Sequence, residues 1–321
     1  MTRPLSADPA QPNAWLRPRG ALARVPWESV VDARLDGWQH TGLRVAETTG
    51  APLALPAGDI ERIIVPLAGS FRVEYQTEGE RLPHEQALAG RASVFDGPTD
   101  VLYLPIGTSA AISGVGRVAV AEAPATVWYP VRYIRAAEVP VELRGAGRAT
   151  RQVHNFGVPG ALEADRLIVC EVITPSENWS SYPPHKHDEP IAGVESELEE
   201  IYYFETAVTR GAPAEVAAAA DPLGYVRTYA SEAGAIDTLA EVRSGDVALV
   251  PHGWHGPCMA APGYDLYYLN VMAGPGDERA WLITDDPAHA WVRSTWVDQT
   301  TDSRLPYLTP AEADRPEDAP S

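Results

Sequence analysis

The sequence has few of the features that would place the protein in a membrane or an oxidising compartment. Only two of its 321 residues are cysteines, Cys170 and Cys258, which is too few for a disulfide framework and fits a reducing compartment. No apolar run approaches the ~20 residues that a membrane-spanning helix needs. No basic and apolar leader is visible at the N-terminus. We therefore expect a cytoplasmic protein.

Positive charge is also scarce. The chain has 25 lysines and arginines against 44 aspartates and glutamates, for a formal net charge of −19. Nucleic acids and anionic membranes attract positive surfaces, so we expect neither as a partner. The same excess of negative charge means that an anionic substrate, such as a sugar acid, would need a local cationic or metal anchor.

Short apolar runs separated by turn residues dominate the first half of the sequence, and no long helical period interrupts them. The runs are Gly42–Ala46, Arg62–Leu67, Ser70–Tyr75 and Asp100–Pro105. Turn residues separate them, as at Ala68-Gly69 and Asp96-Gly97-Pro98. This pattern predicts an all-β fold of the sandwich or barrel type.

A weak internal repeat divides the chain. Leu104-Pro-Ile-Gly107 resembles Val250-Pro-His-Gly253, and each sequence ends an apolar run in a Pro-x-Gly turn. The first copy has Ser109, Ala110 or Ala111 where the second has a histidine, so we expect it to bind no metal. Prolines and glycines between residues 123 and 150 predict a crossover between two domains. The expected parts are a loose arm (1–20), a domain without metal (21–140), a metal-binding domain (141–297) and a tail (298–321).

A His-x-His pair in the second half predicts a metal site. His185 and His187 would point to the same face of an extended strand, because side chains alternate with a period of two. A downstream glutamate and His255, which follows the second Pro-x-Gly turn, could close on the same ion. Three imidazoles and one carboxylate suit zinc, iron, manganese or nickel.

The choice of the carboxylate depends on strand parity. Glu200 shares one strand face with Tyr202, whereas Glu199 shares the other with Tyr203. Periodicity alone leaves both open, and we take Glu200 as the ligand because its face reads as the inward one. His252 lies on the turn itself and is expected to be exposed.

Other polar residues are expected near the site. Asp265, Tyr267, Tyr268 and Asn270 lie on one predicted strand, and Lys186, Arg227 and Arg279 are cations elsewhere in the second half. Tyrosine hydroxyls and the asparagine could hydrogen-bond a polyhydroxylated ligand or orient the histidines, although core packing is the alternative. The two arginines could bind a carboxylate with two hydrogen bonds, or lie on the surface. Lys186 alternates away from the histidines and would reach the site only if the strand twists.

These motifs resemble those of the cupins. The sequence from Gly245 to Gly253 has the form Gly-x5-Pro-x-Gly and is followed closely by a histidine, as in the second cupin motif. The upstream His-x-His and glutamate resemble the first motif. Two spacings differ from those of the usual cupin motifs. The Pro-x-Gly turn is one residue nearer to His255 than usual, and twelve residues separate His187 from Glu200 where a few are usual. Both differences are typical of one branch of cupins.

That branch is the 5-deoxy-glucuronate isomerase family of bacterial myo-inositol catabolism, which the chain resembles over about residues 15 to 297. The strings that carry the resemblance are Ser93–Pro105, Arg151–Asn155, Tyr182–Asp188, Leu198–Tyr203, Ala261–Gly274 and Asp285–Trp291. The resemblance implies a bicupin, with two tandem jelly-roll β-barrels and metal only in the C-terminal one. It also implies conversion of 5-deoxy-D-glucuronate to 5-dehydro-2-deoxy-D-gluconate, and we expect a homo-oligomer.

The resemblance places one divalent metal ion on His185, His187, Glu200 and His255. A related uronate isomerase that acts on pectin breakdown products uses zinc on three histidines and a glutamate, which favours zinc here over manganese, iron or nickel. The ion would polarise the sugar carbonyl, and a base would move a proton between C1 and C2.

The sequence leaves the proton carrier and two other functions open. Glu199, Asp265, Tyr267 and Tyr268 are the candidate proton carriers, and Lys186, Arg227, Asn270 and Arg279 the candidate substrate-binding residues. A metal-dependent cupin dioxygenase shares the same ligand set, and a non-catalytic sugar-binding cupin is the alternative outside enzymes.

Overall fold

Strands make up most of the regular structure in residues 11–308, the part of the chain that the computed structural model describes. The first half contains β1 (Leu16–Arg17), β2 (Ser29–Val31), β3 (Gly42–Thr49), β4 (Leu53–Leu55), β5 (Ile60–Thr77), β6 (His84–Arg91), β7 (Val101–Leu104), β8 (Thr108–Pro124) and β9 (Arg132–Ile134). The second half contains β10 (Val141–Arg144), β11 (Arg151–Gly157), β12 (Ile168–Thr174), β13 (Trp179–Ser180), β14 (His185–Lys186), β15 (Asp188–Ile191), β16 (Glu195–Glu197), β17 (Glu199–Val208), β18 (Gly224–Ser231), β19 (Gly234–Val242), β20 (Val247–Val250), β21 (Trp254–Ala260), β22 (Tyr264–Ala273) and β23 (Thr284–Asp285). Helical segments are α1 (Ala214–Ala219) and 3-10 helices at Val94–Asp96, Ala136–Glu138, Gly147–Ala149 and Ala290–Asp298. The all-β prediction is confirmed.

The strands form three large antiparallel sheets. An eight-stranded sheet in the first half has the order β2-β3-β8-β5-β7-β9, with β4 on β8 and β6 on β5. In the second half, a seven-stranded sheet (β1-β20-β17-β22-β12-β11-β10) packs against a six-stranded sheet (β19-β18-β21-β14-β23, with β13 on β21). β15 and β16 form a separate hairpin.

The turn predicted at Ala68-Gly69 does not exist, because β5 runs unbroken from Ile60 to Thr77 beside β8. The register shifts between Pro66 and Ala68, which bends the strand without ending it. Gly69 has a φ of +93°, and a Cβ there would lie 2.1 Å from the Val115 carbonyl oxygen. The glycine therefore permits close contact between two strands that continue past it.

Side-chain alternation sorts the core into layers. In β5, Ile63 and Val65 face the second half and join a buried cluster that includes Ile201 and Tyr203 of β17. The intervening Ile64 instead belongs to the hydrophobic core of the first half. The same alternation on β17 places even-numbered side chains inside the second half. The seven-stranded sheet therefore has one face against the first half and one face towards its own barrel interior.

Both ends of the described region pack more closely than the sequence predicted. Leu16 and Arg17 pair with Ala248 and Val247, so residues 11–20 are not a loose arm. Tyr307 is 2% exposed and donates its backbone N–H to Gln152, so residues 298–308 are not a solvated tail. Residues 1–10 and 309–321 lie outside the described part. No helix within residues 11–308 is long and apolar enough to span a bilayer.

Buried polar contacts join the two halves. The guanidinium of Arg91 in β6 donates two hydrogen bonds to the carboxylate of Glu171 in β12, at 2.6 and 2.7 Å. The Glu199 carboxylate accepts hydrogen bonds from the backbone N–H groups of residues 39, 40 and 41 in the first half. These buried charged groups are hydrogen-bonded, which lowers the cost of their burial.

Candidate metal centre and adjoining cavity

Four side chains from three segments meet inside the second half, and we call them the His/Glu cluster: His185, His187, Glu200 and His255. His185 of β14 pairs with His255 of β21, and His187 follows directly after β14. Glu200 comes from β17 on the opposite sheet. The His255 ring centroid lies 4.5 Å from that of His185 and 4.6 Å from that of His187.

Hydrogen bonds orient two of the rings. His187 Nδ1 lies 3.1 Å from the Leu198 carbonyl oxygen, and His255 Nδ1 lies 2.9 Å from that of Gly253. If each Nδ1–H donates to its carbonyl, each Nε2 carries the lone pair. Both Nε2 atoms lie 3.1 Å from Glu200 Oε2. Lone pairs that face a carboxylate repel it unless a cation lies between them, so this arrangement fits a metal ion.

The electrostatics favour the metal-binding protonation states of His185 and Glu200, although contact with Glu200 raises the pKa of His187 against the effect of burial. Burial, and then the neighbouring His255 and His187, hold the pKa of His185 well below its usual value, so the ring is neutral. Burial alone would raise the pKa of Glu200, but its close contacts with the polar rings of His187 and His255 outweigh burial and lower the pKa to about 2. A neutral imidazole and an ionised carboxylate are the metal-binding forms. The ligand nitrogens of the three histidines lie within 4.8 Å of one another.

The turn before His255 depends on a glycine. Gly253 has a φ of +99°, and a Cβ there would lie 2.5 Å from Ile236 Cγ2. Its N–H donates to Asp188 at 2.8 Å, which ties the turn to the segment after His187. His252 points away from the cluster, with its Nε2 3.3 Å from the Ala235 carbonyl oxygen.

A cavity of about 430 Å³ adjoins the His/Glu cluster. Its lining includes His185, Glu200, Ser181, Tyr202, Tyr268, Asn270, Asp285, Arg144, Arg151 and Arg293, with Val153, Val172, Trp281 and Ile283 as the apolar part. The volume lies in the usual range for small-ligand sites, and barrel interiors are a common place for them. The site can therefore bring a small polar molecule to a metal ion.

Two of the candidates from sequence line this cavity in addition to the cluster. The Tyr268 hydroxyl lies 3.1 Å from the Ser181 hydroxyl, which also lies 3.5 Å from that of Tyr202. Asn270 is 3% exposed, and its Nδ2 has no hydrogen-bond partner among the described residues. A buried amide donor without a partner is available to a ligand.

The structure brings none of Glu199, Asp265 and Tyr267 to the cavity, contrary to expectation. All three have odd numbers on β17 or β22, and the inward positions of these strands are even. The carboxylate of Glu199 is occupied by the N–H groups of residues 39 to 41. Asp265 accepts hydrogen bonds from the Ser176 N–H and the Tyr307 hydroxyl, and Tyr267 donates its hydroxyl to Glu171.

The three cations proposed from sequence also lie outside the cavity lining. Lys186 Nζ lies 2.6 to 2.8 Å from carboxylate oxygens of Asp188 and Glu195. Arg227 pairs with Asp237. Arg279 donates to three backbone carbonyls at 2.6 to 2.8 Å. Their charges serve local structure.

Sequence reasoning missed three arginines that do line the cavity. Arg144 and Arg151 lie on β10 and β11, paired in register, and Arg293 lies in the last 3-10 helix. Arg293 is paired with Asp285, the residue opposite His185 on β23. One signal was present, because Arg151 begins the Arg151–Asn155 string of the family resemblance.

Known proteins resemble this chain over most of its length. A 5-deoxy-glucuronate isomerase from Geobacillus kaustophilus (strain HTA426) is 39% identical over 277 residues, which cover 85% of this chain and 91% of that protein. The 5-deoxy-glucuronate isomerase from Geobacillus thermodenitrificans (strain NG80-2) matches with the same identity and coverage. A 5-deoxy-glucuronate isomerase from Shouchella clausii (strain KSM-K16) is 39% identical and covers 74% of this chain and 81% of that protein.

Solved structures show the same architecture. The crystal structure of an IolB-like protein from Salmonella typhimurium LT2 has a TM-score of 0.75 at 33% identity, covering 87% of this chain and 98% of that one. The oxalate decarboxylase of Lactobacillus farciminis, solved as a formate complex, has a TM-score of 0.54 at 11% identity, covering 80% of this chain and 82% of that one. The second likeness concerns the fold alone, which is that of a bicupin, as expected from sequence. With the KduI/IolB family model matching residues 17–292, the chain belongs to the KduI/IolB family.

Proposed function

We propose that the chain is a metal-dependent aldose–ketose isomerase that converts 5-deoxy-D-glucuronate to 5-dehydro-2-deoxy-D-gluconate. The observation that carries the proposal is the His/Glu cluster, which contributes His185 and Glu200 to the lining of a cavity of about 430 Å³. Family membership, together with relatives named 5-deoxy-glucuronate isomerase, supports this reaction over others that use the same ligand set.

We assign one divalent cation to His185, His187, Glu200 and His255. Three imidazoles and a carboxylate suit zinc, and manganese, iron or nickel would accept the same ligands. When bound, the ion supplies Lewis acidity that polarises the sugar carbonyl and makes the neighbouring C–H and O–H more acidic. The backbone carbonyls that hold His187 and His255 fix the ring orientations beforehand.

Within the cavity, we assign proton transfer to Tyr268 and substrate positioning to Asn270. Burial raises the pKa of Tyr268, so its hydroxyl keeps its proton at neutral pH and can donate to a substrate oxygen. Ser181, 3.1 Å away, is placed to exchange a proton with it. The unpartnered Nδ2 of Asn270 can donate to a sugar hydroxyl.

We assign a supporting role without metal to the first domain (21–140), and the site to the second (141–297). The interior of the first domain is packed with side chains such as Ile64, Phe71, Val73 and Ile112, each at most 4% exposed. Its long strand β5 also covers one face of the sheet that carries Glu200. The homo-oligomer stays a prediction.

The test is a turnover assay. The purified protein is incubated without oxygen with 5-deoxy-glucuronate, and the sugar is followed by NMR with and without a chelator. We expect a ketose to form, chelation to stop its formation and added zinc to restore it. Conversion only in the presence of oxygen would support the dioxygenase instead. Binding of the sugar without conversion would support the non-catalytic alternative.

A further inference from the structure

Arg151 differs from the other buried arginines of residues 11–308. Arg62, Arg91 and Arg151 are 2%, 6% and 5% exposed. The first two have carboxylate partners, Glu122 at 2.9 Å and Glu171 at 2.6 Å. Arg151 has no carboxylate within 4 Å in the described part of the chain. A buried charge without a counterion is costly, so an arginine kept in this state needs another explanation.

The few contacts of Arg151 leave most of its donors available. Its Nη1 donates to the Ala149 carbonyl at 3.1 Å, and its guanidinium carbon lies 5.8 Å from the centre of the Trp296 ring. The side chain lines the cavity beside the His/Glu cluster. Four N–H groups therefore have no protein acceptor among the described residues, at a position that a ligand can reach.

Two neighbouring arginines each have a counterion of their own, unlike Arg151. Arg144 pairs with Glu142 and Arg293 with Asp285, so each is neutralised by its own carboxylate. Burial, and then repulsion from Arg144 and Arg293, lowers the pKa of Arg151 to about 10, which still leaves it protonated at neutral pH. Three cations and two anions give this end of the cavity a net positive charge in a protein whose net charge is −19.

The distance from the His/Glu cluster indicates what kind of anion would fit. Arg151 lies on β11 and Glu200 on β17, with β22 and β12 between them in the same sheet. Three strand spacings separate the two backbones by about 14 Å across the strands. The register, in which Gln152 is aligned with Glu205 of β17 through Ile173 and Tyr267, adds an offset along the strands. A molecule that reaches both ends must carry its anionic group several atoms away from the group that it places at the cluster.

We propose that Arg151 binds the carboxylate of an open-chain sugar acid and thereby selects uronate-type aldoses over neutral ones. The inference rests on the proposed isomerase function and adds the subsite that determines its substrate class. A guanidinium offers two parallel N–H donors that match the two oxygens of a carboxylate. The bound acid supplies the counterion that the protein itself does not.

The experiment compares two substrates in the full-length, metal-loaded protein. One is 5-deoxy-glucuronate, and the other is the same sugar with a hydroxymethyl group in place of its carboxylate. We expect the wild-type protein to prefer the acid in kcat/KM. In Arg151→Gln, kcat/KM for the acid should fall about 10- to 100-fold, as for a lost hydrogen bond to a charged group. In the same variant, kcat/KM for the neutral sugar should change less than threefold. The preference for the acid should therefore disappear.

Further variants separate the outcomes. Arg151→Lys keeps the charge and should retain part of the preference, and added guanidinium ions should partly restore turnover of the acid by Arg151→Gln. Arg243→Gln removes an exposed ion pair with Asp221 and serves as the matched control. Equal loss for both substrates in Arg151→Gln, or no preference in the wild-type protein, would overturn the inference. Absence of turnover of both sugars by the wild-type protein would instead contradict the proposed function.

Discussion

At the scale of single residues, the site depends on which buried hydrogen-bonding atoms have no partner within the described part of the protein. Most buried polar atoms of the chain are paired, in keeping with their cost when unpaired. Among the described residues, ten buried side-chain atoms have no hydrogen-bond partner, and three of them are Asn270 Nδ2, Trp281 Nε1 and His255 Nε2. Asn270 and Trp281 line the cavity, and His255 belongs to the His/Glu cluster. These three atoms are available to a bound ligand or ion.

Tyr268→Phe tests the proton-transfer assignment. We expect kcat to fall by about 10²- to 10⁴-fold, the usual contribution of a general acid or base. Metal content should not change, because the hydroxyl is not a ligand. Steady-state kinetics and metal analysis provide the measurement.

The neighbouring tyrosine is the matched control. Tyr267→Phe removes a hydroxyl of the same kind that donates to Glu171 at 2.7 Å, outside the cavity. We expect it to lower the free energy of unfolding by about 1 kcal/mol and to leave kcat within a factor of three. Equal loss of kcat in both variants would contradict the assignment.

At the scale of elements, strand alternation is the part of the site that sequence could supply. The shared face of His185 and His187 follows from a period of two, which is local information, whereas the choice of Glu200 over Glu199 also required a prediction of the inward strand face. The placement of Arg151 does not, because it depends on β11 being three strands from β17 in one sheet. The continuity of β5 was also beyond the sequence, since Gly69 reads as a turn residue until Val115 is known to lie against it.

The Pro-x-Gly turn gives a prediction at this scale. Gly253→Ala should lower the free energy of unfolding by about 1 to 3 kcal/mol, because an alanine is strained at a positive φ. The added Cβ also meets Ile236 at 2.5 Å, so the turn must move. Since Gly253 accepts the His255 Nδ1–H, we expect weaker metal binding as well. Metal titration and denaturant unfolding measure the two effects.

A second glycine separates strain from displacement. Gly263 has a φ of +85°, but a Cβ there would meet nothing within 4 Å. Gly263→Ala should therefore introduce backbone strain without displacing any neighbouring atom, and it should keep the metal affinity of the wild-type protein. If both variants lost metal to the same extent, the turn would not be what positions His255.

At the scale of the whole molecule, the two halves fold around one shared interface. Ile63 and Val65 of the first half and Ile201 and Tyr203 of the second belong to the same buried cluster. The sequence predicted two β domains and their crossover region, because turn residues and the internal repeat are visible locally. It did not predict that the ends of the described region pack against the second half, since those contacts join residues far apart in the chain.

Glu171 links the halves and makes stability depend on pH. Burial alone would raise its pKa, but Arg91 and His154 outweigh burial and lower the pKa to about 2 in the folded state. A depressed folded-state pKa stabilises the protein above pH ~4.5, and this contribution disappears as the pH falls towards 2. Glu171→Gln should therefore lower the free energy of unfolding at pH 7 by about 3 to 5 kcal/mol. The difference from the wild-type protein should narrow below pH 4.5.

Urea unfolding at pH 7 and pH 3 measures this difference. Glu85→Gln is the control, because its pair with Arg72 is exposed and should contribute less than ~1 kcal/mol. A pH-independent difference between wild type and Glu171→Gln would show that ionisation of Glu171 is not what stabilises the interface.

The most direct test of the account is the metal content of the purified protein, measured per chain by elemental analysis. The wild-type protein and His252→Ala, whose histidine lies outside the His/Glu cluster, should each bind one divalent ion per chain. His255→Ala should bind far less while remaining folded, as judged by its circular dichroism spectrum. Retention of a full equivalent by folded His255→Ala, or equal loss in both variants, would contradict the claim that these four side chains hold the ion.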